Sequence, residues 1–160
     1  QKTMAWGEGG YYSRLFLNVK GREPQGCIEP GDYERVRAEL IEKLEATCDE
    51  NGRLIGTKVF RPQDIYPAIN GVPPDMIVYF GNLAWRSIGS IGLGVLHTFE
   101  NDMGSDDANH AQDGIFIMCD RQQACPSVKR EGLNITDIAP TVLHLLGLPV
   151  PADMEGKAIQ

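Results

Sequence analysis

The sequence predicts an α/β fold in which strands alternate with helices and pair mostly in parallel. Two observations carry this expectation. Short runs with strand patterning are separated by segments of helical periodicity. Two of those runs, 76–80 and 114–118, are continuously apolar, as strands covered on both faces are. The 160 residues, 42% hydrophobic and 23% charged, suffice for one domain with its own core.

Residues 14–19 place Leu15, Leu17 and Val19 at alternate positions, the period of a half-buried strand. Gly21-Arg22-Glu23-Pro24-Gln25-Gly26 reads as a loop. A helix is predicted over 33–47, with Asp32 as N-cap and Tyr33, Val36, Leu40, Ile41 and Leu44 at helical spacing. Its charged residues, Arg37 among them, belong to solvated faces, and Asp49-Glu50-Asn51-Gly52 stops it. A short strand over 57–61, a proline-rich stretch and the strand 76–80 follow. Residues 81–94 and the acidic segment 100–107 are loops that lead to the strand 114–118. The chain closes with a helix over 137–146, capped by Thr136, tolerant of Pro140 in its first turn and ended by Gly147.

Fifteen Lys and Arg against 22 Asp and Glu give a net charge of −7. Such a chain lacks the basic footprint of a nucleic-acid binder or a polybasic membrane anchor. No apolar run approaches the roughly 18 residues of a membrane helix. Cys27, Cys48, Cys119 and Cys125 show no metal-binding spacing. Reduced thiols are expected, which favours a cytoplasmic location, although Cys119 and Cys125 would close a small loop if oxidised. The Asn134-Ile135-Thr136 sequon is better explained by helix capping. The chain begins at Gln1 in mid-pattern, like a cut from a longer protein.

Three histidines are candidates for chemistry. His144 shares a helix face with Asp137, Pro140 and Thr141, opposite Ile138, Val142 and Leu145, and reads as a surface residue. His97 lies in a strand-like alternation and fits a core position as well as a ligand position. His110 ends the acidic loop just before a predicted strand, where functional side chains commonly sit. It is either a zinc ligand oriented by a neighbouring carboxylate or part of a solvated acidic loop. The loop fails the EF-hand pattern, and neither glycine-rich stretch is a P-loop or a dinucleotide fingerprint.

Several segments, in order along nearly the whole chain, resemble the type I phosphodiesterase/nucleotide pyrophosphatase family of the alkaline phosphatase superfamily. They are Ala5-Trp6-Gly7-Glu8-Gly9-Gly10-Tyr11-Tyr12, the Asn18 to Gly26 loop with its Gly-Arg-Glu-Pro, Pro74-Asp75 before a strand, and Trp85-Arg86-Ser87. Ala108-Asn109-His110-Ala111, the closing helix from Thr136 to Leu143 and Met154-Glu155-Gly156-Lys157 complete the set. The closing-helix pattern is also shared with sulfatases and related mutases.

The resemblance implies a doubly wound, mixed or parallel, alkaline-phosphatase-like sheet with flanking helices. It also implies two metals, usually zinc, and a Thr or Ser nucleophile that attacks phosphorus. A last His ligand comes from a His-x-x-x-Gly context, which His110 to Gly114 matches, so the resemblance assigns His110 to a metal. His97 matches no ligand position. The nucleophile and remaining ligands lie in the part that would precede Gln1, and a catalytic zinc needs about three protein ligands. Residues 1–160 are therefore expected to be a single-domain C-terminal portion of a metal-dependent phosphodiesterase, with no catalytic residue of its own and inert alone.

Arg22 is a candidate for binding substrate phosphate, with a loop held by an Arg22–Glu carboxylate pair as the equal alternative. Arg86 carries the same two readings. The expected partner is a small phosphate ester, with neither nucleic acid nor membrane, and because strand edges invite self-pairing the chain is expected either to keep enough strands for its own core or to form a homodimer. Other readings are a non-catalytic binding module and a phosphonate hydrolase or sulfatase. The Gly-Arg-Glu-Pro segment argues against the sulfatase.

Overall fold

A computed structural model describes residues 3–89, 92–100, 108–119 and 129–159. They belong to two compact units, Gln1–Ile115 and Phe116–Gln160. The first holds four strands, β1 (Ala5–Glu8), β2 (Ser13–Leu17), β3 (Lys58–Phe60) and β4 (Met76–Tyr79). Their order is β1-β2-β4-β3, and every neighbouring pair is antiparallel.

This corrects the expectation of parallel pairing, and the cause is specific. Strands β2 and β3 do run in the same direction, joined through the helix α1 (Tyr33–Glu45). Strand β4, which comes later in the chain, enters between them with the opposite sense. The alternation of strand and helix reveals the crossover but not the strand that splits it.

Strand β4 is one of the sheet's two interior strands and is buried along its uninterrupted apolar run. Met76, Ile77 and Val78 are 0%, 8% and 0% exposed. Cross-strand pairs Leu15–Met76 and Val59–Val78 share one face. There Leu17, Val19, Ile28, Val36 and Met76 form the core, with Tyr33, Leu40 and Ile41 of α1 packed on it. The positions predicted for the helix's inner face are thus the ones that pack. Truncating a fully buried side chain such as Leu17 or Met76 to Ala costs about 2–5 kcal/mol.

Two details of α1 differ from expectation. Asp32 makes no side-chain cap bond; its carboxylate instead accepts from Arg35 at 2.9 Å. Arg37 is buried rather than solvated. It donates to both oxygens of Glu34 at 2.7 and 2.8 Å, and its guanidinium lies 5.0 Å from the Tyr33 ring centre. Strand β1 was not predicted; it pairs with β2 and stacks Trp6 on Phe16 at 5.4 Å. A single turn, α2 (Pro62–Ile65), opens the proline-rich stretch.

In the second unit, a tight turn at Ile135–Asp137 leads into α3 (Ile138–Leu145). The predicted burial of α3 is reversed. Pro140 and Thr141 are buried, whereas Val142 and Leu145 are 49% and 64% exposed. The closing residues fold back onto the start of the helix: the Lys157 amide donates to Asp137 Oδ1 at 2.8 Å and the Ile159 amide to Thr141 Oγ1 at 2.9 Å. His144 is exposed, as expected.

Residues 114–118 are not a strand, and Ile115 and Ile117 are 92% and 86% exposed. An apolar run becomes a strand only where a neighbouring edge takes up its backbone groups, and no described strand pairs with it. The acidic stretch 101–107 and Cys125 lie outside the described residues. Cys27 and Cys48 are free thiols. Among the described residues, no helix is long and apolar enough to cross a membrane.

Candidate functional site

The chain leaves β4 through a left-handed turn. Gly81, Asn82 and Leu83 have φ of 56°, 52° and 76°. Glycine adopts this backbone freely, whereas Leu83 does so at a cost on the order of 1–2 kcal/mol. A Cβ on Gly81 would also stand 2.5 Å from Trp85 Cδ1. The turn sends Trp85-Arg86-Ser87 back across the β1–β2 hairpin turn.

Ser87 binds the two together. Its amide donates to the Gly10 carbonyl at 3.0 Å, and its Oγ accepts from the Gly10 amide at 3.0 Å and from Ser13 Oγ at 2.8 Å. A side chain at Gly9 would strike Ser87 Oγ at 2.6 Å, which gives the Gly9-Gly10 pair a packing reason.

The Tyr11 ring, next to this turn, contacts the side chains of both His110 and Arg86. The His110 ring centre lies 4.0 Å away, tilted by 54°, and the Arg86 guanidinium lies 5.5 Å from the Tyr11 ring centre. Asn109 anchors the approach of His110: its Nδ2 donates to the Leu83 carbonyl at 2.6 Å and its Oδ1 accepts the His110 amide at 2.9 Å. His110 is exposed, and neither ring nitrogen has a hydrogen-bond partner among the described residues.

Beside this cluster is a cavity of about 1010 Å³ lined by Trp85, His97, Phe99, Phe80 and Asn109, among others. The His97 ring packs on Trp85 at 5.1 Å, and its Nε2 is buried without a hydrogen-bond partner among the described residues. His97 is therefore a packed residue of the cavity wall.

Arg22 serves the other end of the sheet. Its guanidinium spans both Asp75 oxygens at 2.7 Å each and donates to the Leu17 carbonyl at 2.5 Å and to Glu23 at 3.0 Å. Asp75, 3% exposed, also accepts from Tyr33 Oη and the Leu17 amide at 2.6 Å each. Burial pushes the Asp75 carboxyl up, but the bonds from Arg22, Tyr33 and Leu17 and the charge of Arg22 outweigh it and hold it below 3.8. Burial and the Asp75 charge raise the Tyr33 hydroxyl above its usual value. With its donors so engaged, Arg22 holds its loop mainly through Asp75, a carboxylate the sequence reading did not name, with Glu23 as a further partner.

The structure thus sorts the sequence motifs. Gly-Gly-Tyr, Trp-Arg-Ser and Asn-His converge on one end of the sheet, whereas the Gly-Arg-Glu-Pro loop and Pro-Asp join at the other through an ion pair between half-exposed Arg22 and buried Asp75. Sequence reasoning singled out His110 but assigned no role to Tyr11, Ser87 or Asn109. The available signal was that all three sit inside segments already matched as motifs. Among the described residues, no three His, Cys, Asp or Glu side chains converge as a metal site. One imidazole does not make a zinc centre.

No protein-family model matches the chain, and no solved structure matches it. Short stretches are similar to curated proteins. The chain is 60% identical over 30 residues to a 2,3-bisphosphoglycerate-independent phosphoglycerate mutase of Synechocystis sp., covering 19% of this chain and 6% of that protein. It is 56% identical over 34 residues to the enzyme of the same name from Ectopseudomonas mendocina, covering 21% of this chain and 7% of that protein. The match spans less than a tenth of either relative. It supports a relation to phosphoester-handling enzymes of the alkaline phosphatase superfamily, and it adds nothing for the nucleotide pyrophosphatase family.

Proposed function

We propose that this chain is part of a metal-dependent hydrolase of phosphate esters, phosphodiesters among them, and that His110 is its contribution to the metal site. The observation that supports the reading is the convergence of three distant motifs around an exposed His110 whose ring nitrogens have no hydrogen-bond partner among the described residues. A rigid sheet end that carries an aromatic support and an imidazole suits a ligand that has to be held in place before the metal arrives. Zinc is the expected metal, and the nucleophile and further ligands would come from residues other than those described. The substrate is a small phosphate ester.

A second reading is phosphoryl transfer between positions of one substrate, favoured by the names of the two mutases that the chain partly matches. The test assays bis-p-nitrophenyl phosphate hydrolysis and phosphoglycerate isomerisation, with added zinc. It uses this chain and the longest polypeptide whose reading frame contains it. Hydrolysis by the longer protein, abolished by His110→Ala together with loss of one metal equivalent, is the expected result. Isomerisation without net phosphate release selects the mutase reading. Inactivity of both proteins towards both substrates sinks the two and favours a binding module.

A further inference from the structure

We infer that the outer face of the sheet carries a pocket for a neutral, polyhydroxylated ring, a pyranose sugar. The inference does not rest on the phosphate-ester reading and uses none of the residues of the Tyr11–His110 cluster. Alternation along the strands puts Leu15, Leu17 and Met76 on the core face with α1, and Arg14, Ile77 and Tyr79 on the opposite face. Tyr12, one residue ahead of β2, continues that alternation and joins Arg14. The proline-rich stretch 62–74 returns across this outer face and encloses a cavity of about 420 Å³. That volume lies toward the lower end of the roughly 300–1,000 Å³ of small-molecule sites.

Tyr12, Tyr66 and Tyr79 line the cavity together with Arg14 and Asn70. The Tyr12 and Tyr79 rings form one angled wall, with centres 6.1 Å apart and planes tilted by 58°. Phe60 holds the Tyr79 ring edge-to-face at 5.1 Å. Pro62, Pro73 and Pro74 complete the lining. Their fixed φ stiffens the wall before any ligand arrives, which lowers the ordering cost of binding.

This lining selects among ligand classes. A cation would meet the Arg14 guanidinium. An anion would meet an Arg14 already held by Glu8 at 2.7 Å, and no second cationic side chain lines the cavity among the described residues. A flat aromatic ring finds no parallel slot between walls tilted by 58°. An aliphatic ligand would cover the three phenol hydroxyls and the Asn70 carboxamide, none of which has a hydrogen-bond partner among the described residues. Burying such groups unpaired costs about 1–3 kcal/mol each. A pyranose meets both demands. The hydrogens on its C–H faces suit the negative face of a tyrosine ring. Its hydroxyls both donate and accept, so they pair with phenols, the carboxamide and either member of the Arg14–Glu8 pair. That ion pair is half-exposed and contributes little to stability, so it can be substituted without loss of the fold.

The test titrates the whole 160-residue chain, followed by nuclear magnetic resonance, with the methyl glycosides of glucose, galactose, mannose, xylose and N-acetylglucosamine. Tetramethylammonium, inorganic phosphate, cyclohexanol and adenosine represent the competing classes. At least one glycoside should produce saturable shifts at the Tyr12, Tyr66 and Tyr79 rings and the Asn70 side chain, while Trp85 and His110 stay unmoved. Tyr66 is 52% exposed, so its variants keep the fold, with an unchanged Val78 amide as the check. Tyr66→Ala, which removes ring and hydroxyl, should weaken binding about ten-fold or more. Tyr66→Phe, which removes only the hydroxyl, should weaken it about three-fold, and Arg14→Met should weaken it as well. Absence of pocket shifts with every glycoside overturns the inference. So does unchanged glycoside affinity in folded Tyr66→Ala, or tighter binding of any of the four competing probes at these residues.

Discussion

Asp75 shows how a single buried charge is kept in this fold. At 3% exposure it would be costly alone, yet four donors from Arg22, Tyr33 and Leu17 surround its two oxygens. Removing Asp75 leaves the Leu17 amide and the Tyr33 hydroxyl without their acceptor, whereas the Arg22 side chain, 41% exposed, can turn to water, so Asp75→Ala should cost about 1–3 kcal/mol at neutral pH, read as a lower midpoint in urea unfolding. The pH dependence follows from the depressed carboxyl. Its stabilisation is complete above the ordinary value of 3.8 and is lost as pH falls through the lower folded value. Unfolding midpoints of the unsubstituted protein should therefore drop below about pH 4, and those of Asp75→Asn should drop less there. A parallel decline in the two proteins would mean that other carboxylates dominate. Arg22→Lys keeps the charge but loses the planar fork; it should destabilise the protein at neutral pH, as a residue that holds a loop must.

At the scale of elements, the second unit is closed by backbone proximity. Gly156 lies so close to the Thr136 carbonyl and the Asp137 amide that a Cβ there would overlap them. The same crossing carries the bonds from Lys157 to Asp137 and from Ile159 to Thr141. Gly156→Ala should cost about 1–3 kcal/mol and accelerate hydrogen exchange of the α3 amides, whereas Gly31→Ala, with open space around it, should change neither. Equal exchange rates in the two variants would refute the role of this crossing. The contrast also marks what was legible in sequence. The elements β2, α1, β3, β4 and α3 could be read because each has its own periodicity or apolar run. Strand β1 could not, since Trp6-Gly7-Glu8 shows its pairing only through contact with Phe16 and Leu15. The buried face of α3 was misjudged because it is covered by polar backbone bonds from 157–159, which leave no apolar period. The site was half legible. His110 stands out by residue type, but Asn109 and Ser87 act through geometry that no spacing encodes.

At the scale of the whole molecule, two opposing terms govern how copies of the chain meet. Large apolar side chains are exposed in the second half of the chain, including Ile117 at 86%, Ile135 at 85%, Leu145 at 64% and Leu146 at 66%. Exposed apolar surface beyond a few hundred Å² marks an interaction face or an aggregation hazard. The net charge of −7 works against self-association. Like-charge repulsion between copies is screened within a Debye length of about 10 Å at 0.1 M salt and about 3 Å at 1 M, while apolar contact is not weakened by screening. Association of this chain should therefore be concentration-dependent and should strengthen from low to high sodium chloride. Light scattering during size exclusion reads both trends. Leu145→Glu adds a charge at an exposed apolar position of α3 and should shift the equilibrium toward monomer at every salt concentration. A monomer throughout the concentration range at 1 M salt would show that these side chains do not drive self-association. Association that instead weakens with salt would point to an ionic interface, which the excess of acidic residues does not predict.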